Sequence, residues 1–533
     1  MTTAEAGRPG VRGMGGMVAS AHPLASAAGV EMLNRGGNAF DAVAATTAAL
    51  NVVEPFMSGL AGLGLATCYI AAERRVRCLD FIPPVPLEFD AEGLSRADTD
   101  VGGNASGVPG NLAGWATLVG DYGRKSFAET LAPAIALARN GFPISPFHVG
   151  KVAAMEARGP SEEWRRVYGF GGAAAMGAVL RQPDLAETLE AVAAEGPGYL
   201  YGGPLGEKMV AHLQSLGGTM SMADLEAVAP AWQTPITTPY RDLEVHAPPP
   251  PAESFQFLLT LRILDGLDLG HFEHLSVEHL DTVFRAVRVA AEVRIRNNQA
   301  EVARIAELLD EDSVAGLRAL VTDGAPVFGR TEQWADGPLV DGPSLKEDTT
   351  SLSVIDAEGN AVCITQSLGG VYGSGVVIPG TGVCMNNFLF WGDLERDSAN
   401  AMVGGGPLGM CLAPSISLRG GELALSLGTP GSYGILQTQV QAMVHYLDYG
   451  LGLQAAIEAP RARLWDGRRI DLEGRIAPQV VAGLREKGHD IQEAEAFTWV
   501  AGGMQAVARD PATGALEGAA DPRRDGAAIP ALG

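Results

Sequence analysis

The chain has 533 residues, more than one compact core usually holds, and 47 % of them are hydrophobic, as in an ordinary soluble globular protein. Its formal net charge is −24, and no lysine or arginine cluster is present, so nucleic acids and anionic membranes are poor partner candidates. No apolar stretch is long enough for a membrane span, and residues 1–16 lack the apolar run of a signal peptide. We therefore expect a cytoplasmic protein.

Helical and extended patterns alternate through the first two thirds of the chain. Helices are predicted at 26–33 and 42–53, the second capped by Asn38 or Asp41, and a hairpin follows at 65–71 and 76–81. Further helices are predicted at 127–139, 185–194, 205–216, 255–264 and 277–296. The last of these carries four arginines, and we interpret them as a solvated, salt-bridged helix face rather than an anion site: Arg285, Arg288, Arg294 and Arg296.

The remainder of the chain is richer in strands. A polar, glycine-rich and proline-rich segment at 322–348 reads as an exposed loop, and strands are predicted on both sides of the turn at 356–360. Short strands at 376–378, 382–386, 415–418 and 423–427 precede helices at 431–446, 454–458 and 480–487. Strands on both sides of the loop, flanked by helices, fit a layered α/β sandwich.

Classical metal and hydrolase motifs are absent from the sequence. The five cysteines show no paired ligand spacing, and their odd number argues against a disulfide framework. The nine histidines do not pair at positions i and i+4, and neither His-Glu-x-x-His nor Gly-x-Ser-x-Gly occurs. We therefore expect no metal and no cofactor.

The chain is organised around Thr349, which opens a strand directly after the predicted loop. In that strand Leu352 and Val354 alternate with Ser351 and Ser353, so the two sets face opposite sides. If the chain is cut before Thr349, the new α-amino group has a reference pKa near 8 and can take the proton of the threonine hydroxyl. The alternative is an ordinary hairpin that happens to begin with a β-branched residue.

Residues 348–356 (DTTSLSVID) and 359–362 (GNAV) resemble the cleavage site of the γ-glutamyltransferase family, whose members are N-terminal nucleophile hydrolases. Other stretches resemble the family in the same order along nearly the whole chain: 16–26, 36–42, 53–55 with 58–59, 108–114, 428–432, 448–451, 459–461 and 521–523. Each motif is weak by itself, whereas the ordered series is specific.

The resemblance implies a four-layer αββα sandwich and a precursor that cuts itself between Asp348 and Thr349. Residues 1–348 then form a large subunit and residues 349–533 a small one, held together as a heterodimer that can assemble further. The resemblance also implies that Thr349 is the nucleophile and that Ser367, where the family usually has threonine, assists it. Backbone amides at Gly431 and Ser432 match the family's oxyanion hole, with Ser432 in place of a second glycine.

The positions at which the family recognises the charges of a γ-glutamyl group differ in this chain. Apolar, aromatic or small residues stand there, in three separate segments: Ile82, Gly369, Phe388, Phe390, Trp391, Met410 and Cys411. Losing every charged partner is expected to abolish recognition of the glutamate head group. We expect instead a pocket for a flat or apolar acyl group; the alternative is a shifted alignment, in which case these residues are core and ordinary γ-glutamyl transfer is retained.

Within this resemblance we predict hydrolysis of a C–C bond in a conjugated keto acid, through an ester on Thr349, as in relatives from actinobacterial pathways to 4-alkylproline antibiotics. The alternative enzyme is an amide hydrolase of the cephalosporin-acylase or oxamate-hydrolase type. The non-enzyme alternative is an unprocessed scaffold. All enzyme alternatives imply a small-molecule substrate.

Overall fold

The computed structural model describes residues 7–323, 348–465 and 469–532. Most of the loop predicted at 322–348 lies outside these residues. The described residues form two sheets of seven strands each. Each sheet combines strands from early and late parts of the sequence. The first sheet has the order β1 (Val11–Gly13), β18 (Leu516–Ala520), β17 (Gln505–Arg509), β13 (Glu422–Gly428), β12 (Ser415–Arg419), β9 (Leu243–Ala247) and β8 (Ile236–Tyr240).

The second sheet carries the predicted hairpin at its centre. Its order is β19 (Ala527–Pro530), β2 (Gly16–Ser20), β10 (Asp348–Asp356), β11 (Ala361–Gly369), β3 (Leu63–Ile70), β4 (Arg75–Asp80) and β7 (Ala231–Gln233). All neighbours in both large sheets pair antiparallel. Two small sheets join β5 (Phe142–Pro143) to β6 (Val179–Leu180), and β14 (Ala462–Leu464) to β15 (Arg469–Glu473) and β16 (Asp490–Ala494).

Helices cover the outer face of each large sheet. Those on the second sheet come from the first half of the chain: α1 (Pro23–Asn34), α2 (Ala39–Val53), α3 (Asn111–Tyr122), α4 (Phe127–Asn140), α5 (Pro146–Arg158), α6 (Glu162–Tyr168), α7 (Pro183–Glu195), α8 (Pro204–Ser215) and α9 (Met222–Glu226). Those on the first sheet are α10 (Phe255–Asp265), α11 (Val277–Arg296), α12 (Val302–Leu309), α13 (Glu311–Thr322), α14 (Ile435–Leu447), α15 (Leu453–Glu458) and α16 (Pro478–Glu486).

Three hydrophobic clusters correspond to the three interfaces between layers. One joins the second sheet to α1–α9, and another joins the first sheet to α10–α16. The third lies between the sheets and includes Ala19, Ile355, Cys363, Ile416 and Val507. The order helix, sheet, sheet, helix confirms the four-layer αββα sandwich.

Every residue of strand β10 is buried, although apolar and polar side chains alternate along it. Leu352 and Val354 pack into the cluster under the helices, whereas Ser353 donates a hydrogen bond of 3.0 Å to the carbonyl of Gln505 in the other sheet. Thr350 faces the helices with Leu352, because its hydroxyl donates to Glu54 at the end of α2. The small polar side chains therefore face the opposite sheet rather than solvent.

Several local predictions are wrong in detail. Residues 376–378 and 382–386 form no strand, and only an isolated bridge joins Val377 to Cys384. The helix predicted from 431 begins at Ile435, after a single 3-10 turn. Arg285, Arg288 and Arg294 are buried rather than solvated, because α11 packs against α10, α13 and α16. Only Arg296 keeps the exposed ion pair that the pattern predicts, with Glu292.

Candidate active site

The sequence-predicted nucleophile lies at an irregularity in the central hairpin. Asp348 pairs with Gly369 and Thr350 with Gln366, so Thr349 lies opposite two residues of β11, Ser367 and Leu368, in a β-bulge. Bulges of this kind redirect a side chain and are frequent beside active sites. Thr349 is 3 % exposed and Asp348 is fully buried in the uncut chain.

A short hydrogen-bond chain joins the Thr349 hydroxyl to the peptide bond that precedes it. Thr349 Oγ1 donates to Ser367 Oγ at 3.1 Å, and Ser367 Oγ donates to the Asp348 carbonyl oxygen at 2.8 Å. The amide of Gly369 donates to Ser367 Oγ at 2.8 Å and fixes that hydroxyl. One serine thus accepts from the Thr349 hydroxyl and donates to the carbonyl of the preceding residue.

Four buried charged side chains surround this bond. Lys151 on α5 forms an ion pair with the Asp348 carboxylate, and Arg524 donates to the Thr349 carbonyl at 2.9 Å. Burial lowers the pKa of Lys151, and the adjacent Asp348 opposes that shift. Burial raises the pKa of Glu54 to about 7, against the effect of Arg524 and of the 2.9 Å hydrogen bond from Thr350.

The two predicted oxyanion-hole residues both have left-handed backbone conformations. Gly431 has φ 127° and Ser432 has φ 52°, in the short loop that follows β13. A positive φ in serine is uncommon and strained, and such residues cluster at functional sites. Gly428, at the end of β13, approaches Ser351 so closely that a Cβ there overlaps the serine hydroxyl. The loop after β13 therefore begins above the same face of β10 on which Thr349 lies.

The predicted pocket segments are joined by two asparagines. Asn387 binds the end of β11. Its backbone amide donates to the Leu368 carbonyl at 2.8 Å, and its side-chain Oδ1 accepts from the backbone amide of Gly370 at 2.7 Å. Asn400 joins the segment that ends at Trp391 to the segment that contains Met410. Its side chain donates to the Trp391 carbonyl at 3.1 Å and accepts from the Gly409 backbone amide at 2.9 Å. Phe388, Trp391 and Met410 are thereby brought to one region of the molecule.

The pocket residues differ in their exposure. Phe388, Met410 and Cys411 are buried in the cluster under α10–α16, whereas Ile82, Phe390 and Trp391 are only partly buried. Gly369 has φ 101°, and a Cβ there overlaps Asn387 Oδ1. Both the backbone conformation and this close contact favour glycine at the position. The Trp391 ring lies 6.3 Å from the ring of Tyr433, the residue after Ser432. The aromatic segment therefore borders the candidate oxyanion loop.

Sequence reasoning missed the charged residues that hold these parts. Lys151 stands in an ordinary helical pattern about 200 positions before its partner, a separation that no local motif reveals. Arg294 was noticed only as one of four arginines, yet its guanidinium binds Glu253 at 2.9 Å and lies 4.3 Å from the Tyr433 ring centre. The pattern of α11 gives no signal for this role, because Glu253 and Tyr433 lie far from Arg294 in the sequence.

Neither a metal cluster nor a spanning helix occurs in the described parts of the chain. No group of three or more metal-ligating side chains is found among residues 7–323, 348–465 and 469–532. Within the same ranges, no helix is long and apolar enough to cross a membrane.

The fold and the hairpin identify an N-terminal nucleophile hydrolase. The chain belongs to the γ-glutamyltranspeptidase family, whose family model matches residues 25–531. It is similar to the acylase ACY 1 proenzyme of Pseudomonas sp. strain SE83, with 35 % identity over 97 % of this chain and 94 % of that protein. The family and its acylase relatives make this protein a hydrolase.

Solved structures extend the similarity over the full length. Cephalosporin acylase from Bacillus halodurans has 27 % identity and a TM-score of 0.87, covering 100 % of this chain and 99 % of that one. A structure named LmbA2991HD has 28 % identity and a TM-score of 0.87, covering 99 % of this chain and 100 % of that one. Both relatives therefore share the whole sandwich and not only the hairpin.

Proposed function

We propose that this chain is a proenzyme that cuts itself between Asp348 and Thr349 and then hydrolyses acyl amides through an ester on Thr349. The observation that carries the proposal is the hydrogen-bond chain from Thr349 Oγ1 through Ser367 Oγ to the Asp348 carbonyl oxygen. The acylase relatives support the choice of amide bonds as substrates.

Self-cleavage in this proposal is an N-to-O acyl shift followed by hydrolysis. Thr349 Oγ1 attacks the Asp348 carbonyl carbon while Ser367 stabilises the negative charge that develops on the oxygen. Collapse of the adduct breaks the C–N bond, and the proton that Thr349 Oγ1 loses on attack passes to the nitrogen, which becomes the amino group of Thr349. Water then hydrolyses the ester, which leaves a carboxylate on Asp348 and a free hydroxyl on Thr349.

Turnover repeats the same ester chemistry on a substrate. The new amino group of Thr349 takes the hydroxyl proton as Oγ1 attacks the acyl carbon, and it later gives a proton to the departing amine. In the proposal, the backbone amides of Gly431 and Ser432 donate to the tetrahedral oxyanion. Water attacks the acyl-Thr349 ester and releases the acid.

The acyl group is proposed to lie against the apolar and aromatic segments. Ile82, Phe390 and Trp391 supply partly exposed surface, and Phe388, Met410 and Cys411 form the buried wall behind it. An α-ammonium group has no carboxylate partner at Gly369 or Trp391, the positions that match the family's polar residues. The proposed acyl donors are therefore not γ-glutamyl compounds.

A second candidate is hydrolysis of a C–C bond in a conjugated, ring-bearing keto acid of 4-alkylproline antibiotic biosynthesis. The attack on a carbonyl does not require a nitrogen leaving group, provided that the carbon leaving group delocalises its electrons as an enolate or dienamine. The aromatic run Phe388–Phe390 with Trp391 favours this candidate, because flat rings pack well against aromatic side chains. The same acyl-Thr349 ester then forms.

The test compares three substrate sets with the cleaved protein: simple N-acyl anilides, 4-substituted pyrroline carboxylates with an oxo side chain, and glutathione. Hydrolysis of anilides supports the acylase proposal, and release of the ring product from pyrrolines supports the second candidate. Thr349→Ala is the control and is expected to be inactive on all three. Glutathione turnover at about 1 s⁻¹ or faster contradicts the apolar pocket.

A further inference from the structure

The guanidinium group of Arg294 lies against the residue that follows the candidate oxyanion hole. Its Cζ is 4.3 Å from the centre of the Tyr433 ring, and Tyr433 comes directly after Ser432 in the chain. Arg294 is buried, and the attraction between a cation and an aromatic ring is stronger where water is excluded. The contact therefore holds the Tyr433 ring in one place.

Arg294 is itself held by residues at the start of α10 and just before it. Its Nη1 donates to Glu253 Oε1 at 2.9 Å and its Nε donates to Gln256 Oε1 at 2.8 Å, and both partners are buried. Two hydrogen bonds from different nitrogen atoms fix the plane of a guanidinium group, and a lysine ammonium group does not reproduce this geometry. The position of Tyr433 is thus tied to the beginning of α10.

The same region carries the wall of the predicted acyl pocket. The Glu253 backbone amide donates to the Met410 carbonyl at 2.8 Å, and the Met410 amide donates to the Pro251 carbonyl at 2.9 Å. The Tyr433 ring in turn lies 6.3 Å from the Trp391 ring. The arginine side chain therefore lies where the candidate oxyanion loop meets two segments of the pocket.

The candidate oxyanion loop requires contacts that hold its backbone in place. Ser432 has φ 52°, and a strained backbone of this kind persists only where the surrounding structure imposes it. At the start of the loop, Thr429 Oγ1 accepts a hydrogen bond of 3.2 Å from the Gly503 amide. At its end, the chain passes directly into Tyr433, whose ring lies against the buried guanidinium. The strained residue is held between these two contacts.

We propose that Arg294 is a positioning residue for turnover, which sets the backbone amides of Gly431 and Ser432 through the ring of Tyr433. The inference rests on the proposed function, in which these two amides donate to the oxyanion of the substrate. Arg294 does not touch the substrate in this proposal. It acts only through the loop that does.

Self-cleavage supplies an internal control for folding. In the proposed function this reaction does not use the oxyanion loop, since the Asp348 carbonyl oxygen accepts its hydrogen bond from Ser367. A variant that folds correctly but holds the loop badly is therefore expected to cut itself at the wild-type rate and to turn over slowly. Loss of folding, by contrast, slows both reactions.

The test measures the self-cleavage rate, and then kcat and KM with phenylacetyl 4-nitroanilide. Tyr433→Leu removes the ring face and is expected to lower kcat about tenfold, with KM within about twofold and self-cleavage at the wild-type rate, because a misplaced donor weakens only transition-state binding. Tyr433→Phe keeps the ring face and is expected to keep kcat within about twofold. Arg294→Lys loses the planar guanidinium and is expected to resemble Tyr433→Leu. Arg296→Lys, at an exposed ion pair of the same helix, is the matched control and is expected to keep the wild-type kcat.

The variant that combines Tyr433→Leu with Arg294→Lys is expected to lose no more kcat than either single variant, because both changes remove the same contact. An unchanged kcat in Tyr433→Leu, equal losses in Tyr433→Phe and Tyr433→Leu, multiplied losses in the combined variant, or parallel losses of self-cleavage and turnover overturn the assignment. If Arg294→Lys does not fold, the comparison of the two Tyr433 variants decides. A wild-type enzyme that hydrolyses no N-acyl anilide contradicts the acylase proposal and the inference that rests on it, whereas an active wild-type enzyme with an equally active Tyr433→Leu variant contradicts only the positioning role.

Discussion

Ser367 is the residue on which the geometry of the proposed cut depends. It accepts a hydrogen bond from Thr349, donates to the Asp348 carbonyl and accepts from the amide of Gly369. A hydroxyl donates and accepts at one atom, as these three contacts require. The family's usual threonine supplies the same group, which is why serine at this position preserves the arrangement.

We expect Ser367→Ala to slow self-cleavage by about 10²- to 10³-fold, because the oxyanion loses a positioned donor. Ser367→Thr keeps the hydroxyl and is expected to cut at a rate close to that of wild type. The measurement is the appearance of two fragments on denaturing gels after synthesis. Equal rates for the alanine and threonine variants contradict the role of the hydroxyl.

Glu54 predicts a pH dependence of stability. Its pKa is raised from 4.5 to about 7 by burial, so between these pH values the folded chain holds a proton that the unfolded chain has released. The contribution of Glu54 to the free energy of unfolding therefore falls as pH rises through this window, by up to about 3 kcal/mol.

Glu54→Gln removes that titration. In the uncut Thr349→Ala background, we expect the Tm of the Glu54→Gln protein to improve relative to its parent as pH rises from about 5 to about 7. Thermal unfolding at both pH values measures the difference. A Tm difference that is the same at the two values contradicts the raised pKa.

At the scale of elements, the hairpin of β10 and β11 was predictable and the loops around it were not. Leu352 and Val354 alternate with serines because the two faces of β10 pack against different buried surfaces. This alternation is the ordinary sequence signal of a strand. Positions 431–432 carry a helical pattern, yet both residues have positive φ, because the chain must turn from β13 into α14. A local hydrophobic pattern does not reveal a turn that the packing of β13 and α14 requires.

A substitution of Gly369 tests the close packing between the end of β11 and Asn387, the residue before the aromatic segment. Gly369→Ala combines a left-handed backbone with an overlap onto Asn387 Oδ1, whereas Gly421→Ala has the left-handed backbone and no atom within 4 Å of its Cβ. We expect Gly421→Ala to cost about 1 kcal/mol and Gly369→Ala clearly more. Thermal unfolding of both variants measures the difference, and equal costs contradict the predicted overlap.

At the scale of the whole molecule, the proposed cut before Thr349 does not divide the sandwich. Strands from residues before the cut pair with strands after it in both sheets: β1 with β18, β9 with β12, β2 with β10 and β19, and β3 with β11. The four-layer fold was predictable because the motif series spans the chain. The Lys151–Asp348 pair was not, since its partners meet only when α5 packs against the sheet.

This interleaving predicts that the two subunits stay associated after cleavage. Gel filtration in native buffer is expected to give one species containing both fragments, and separation is expected only in denaturant. The control is the uncut Thr349→Ala chain, which should elute at the same volume. Separation of the fragments in native buffer contradicts the shared sheets.

The measurement that tests the account most directly is the intact mass of the purified protein after denaturation. The account predicts two chains, the smaller beginning at Thr349 and ending at residue 533, and a single inactive chain for Thr349→Ala. An uncut wild-type chain with full hydrolase activity, or normal activity in Thr349→Ala, contradicts it.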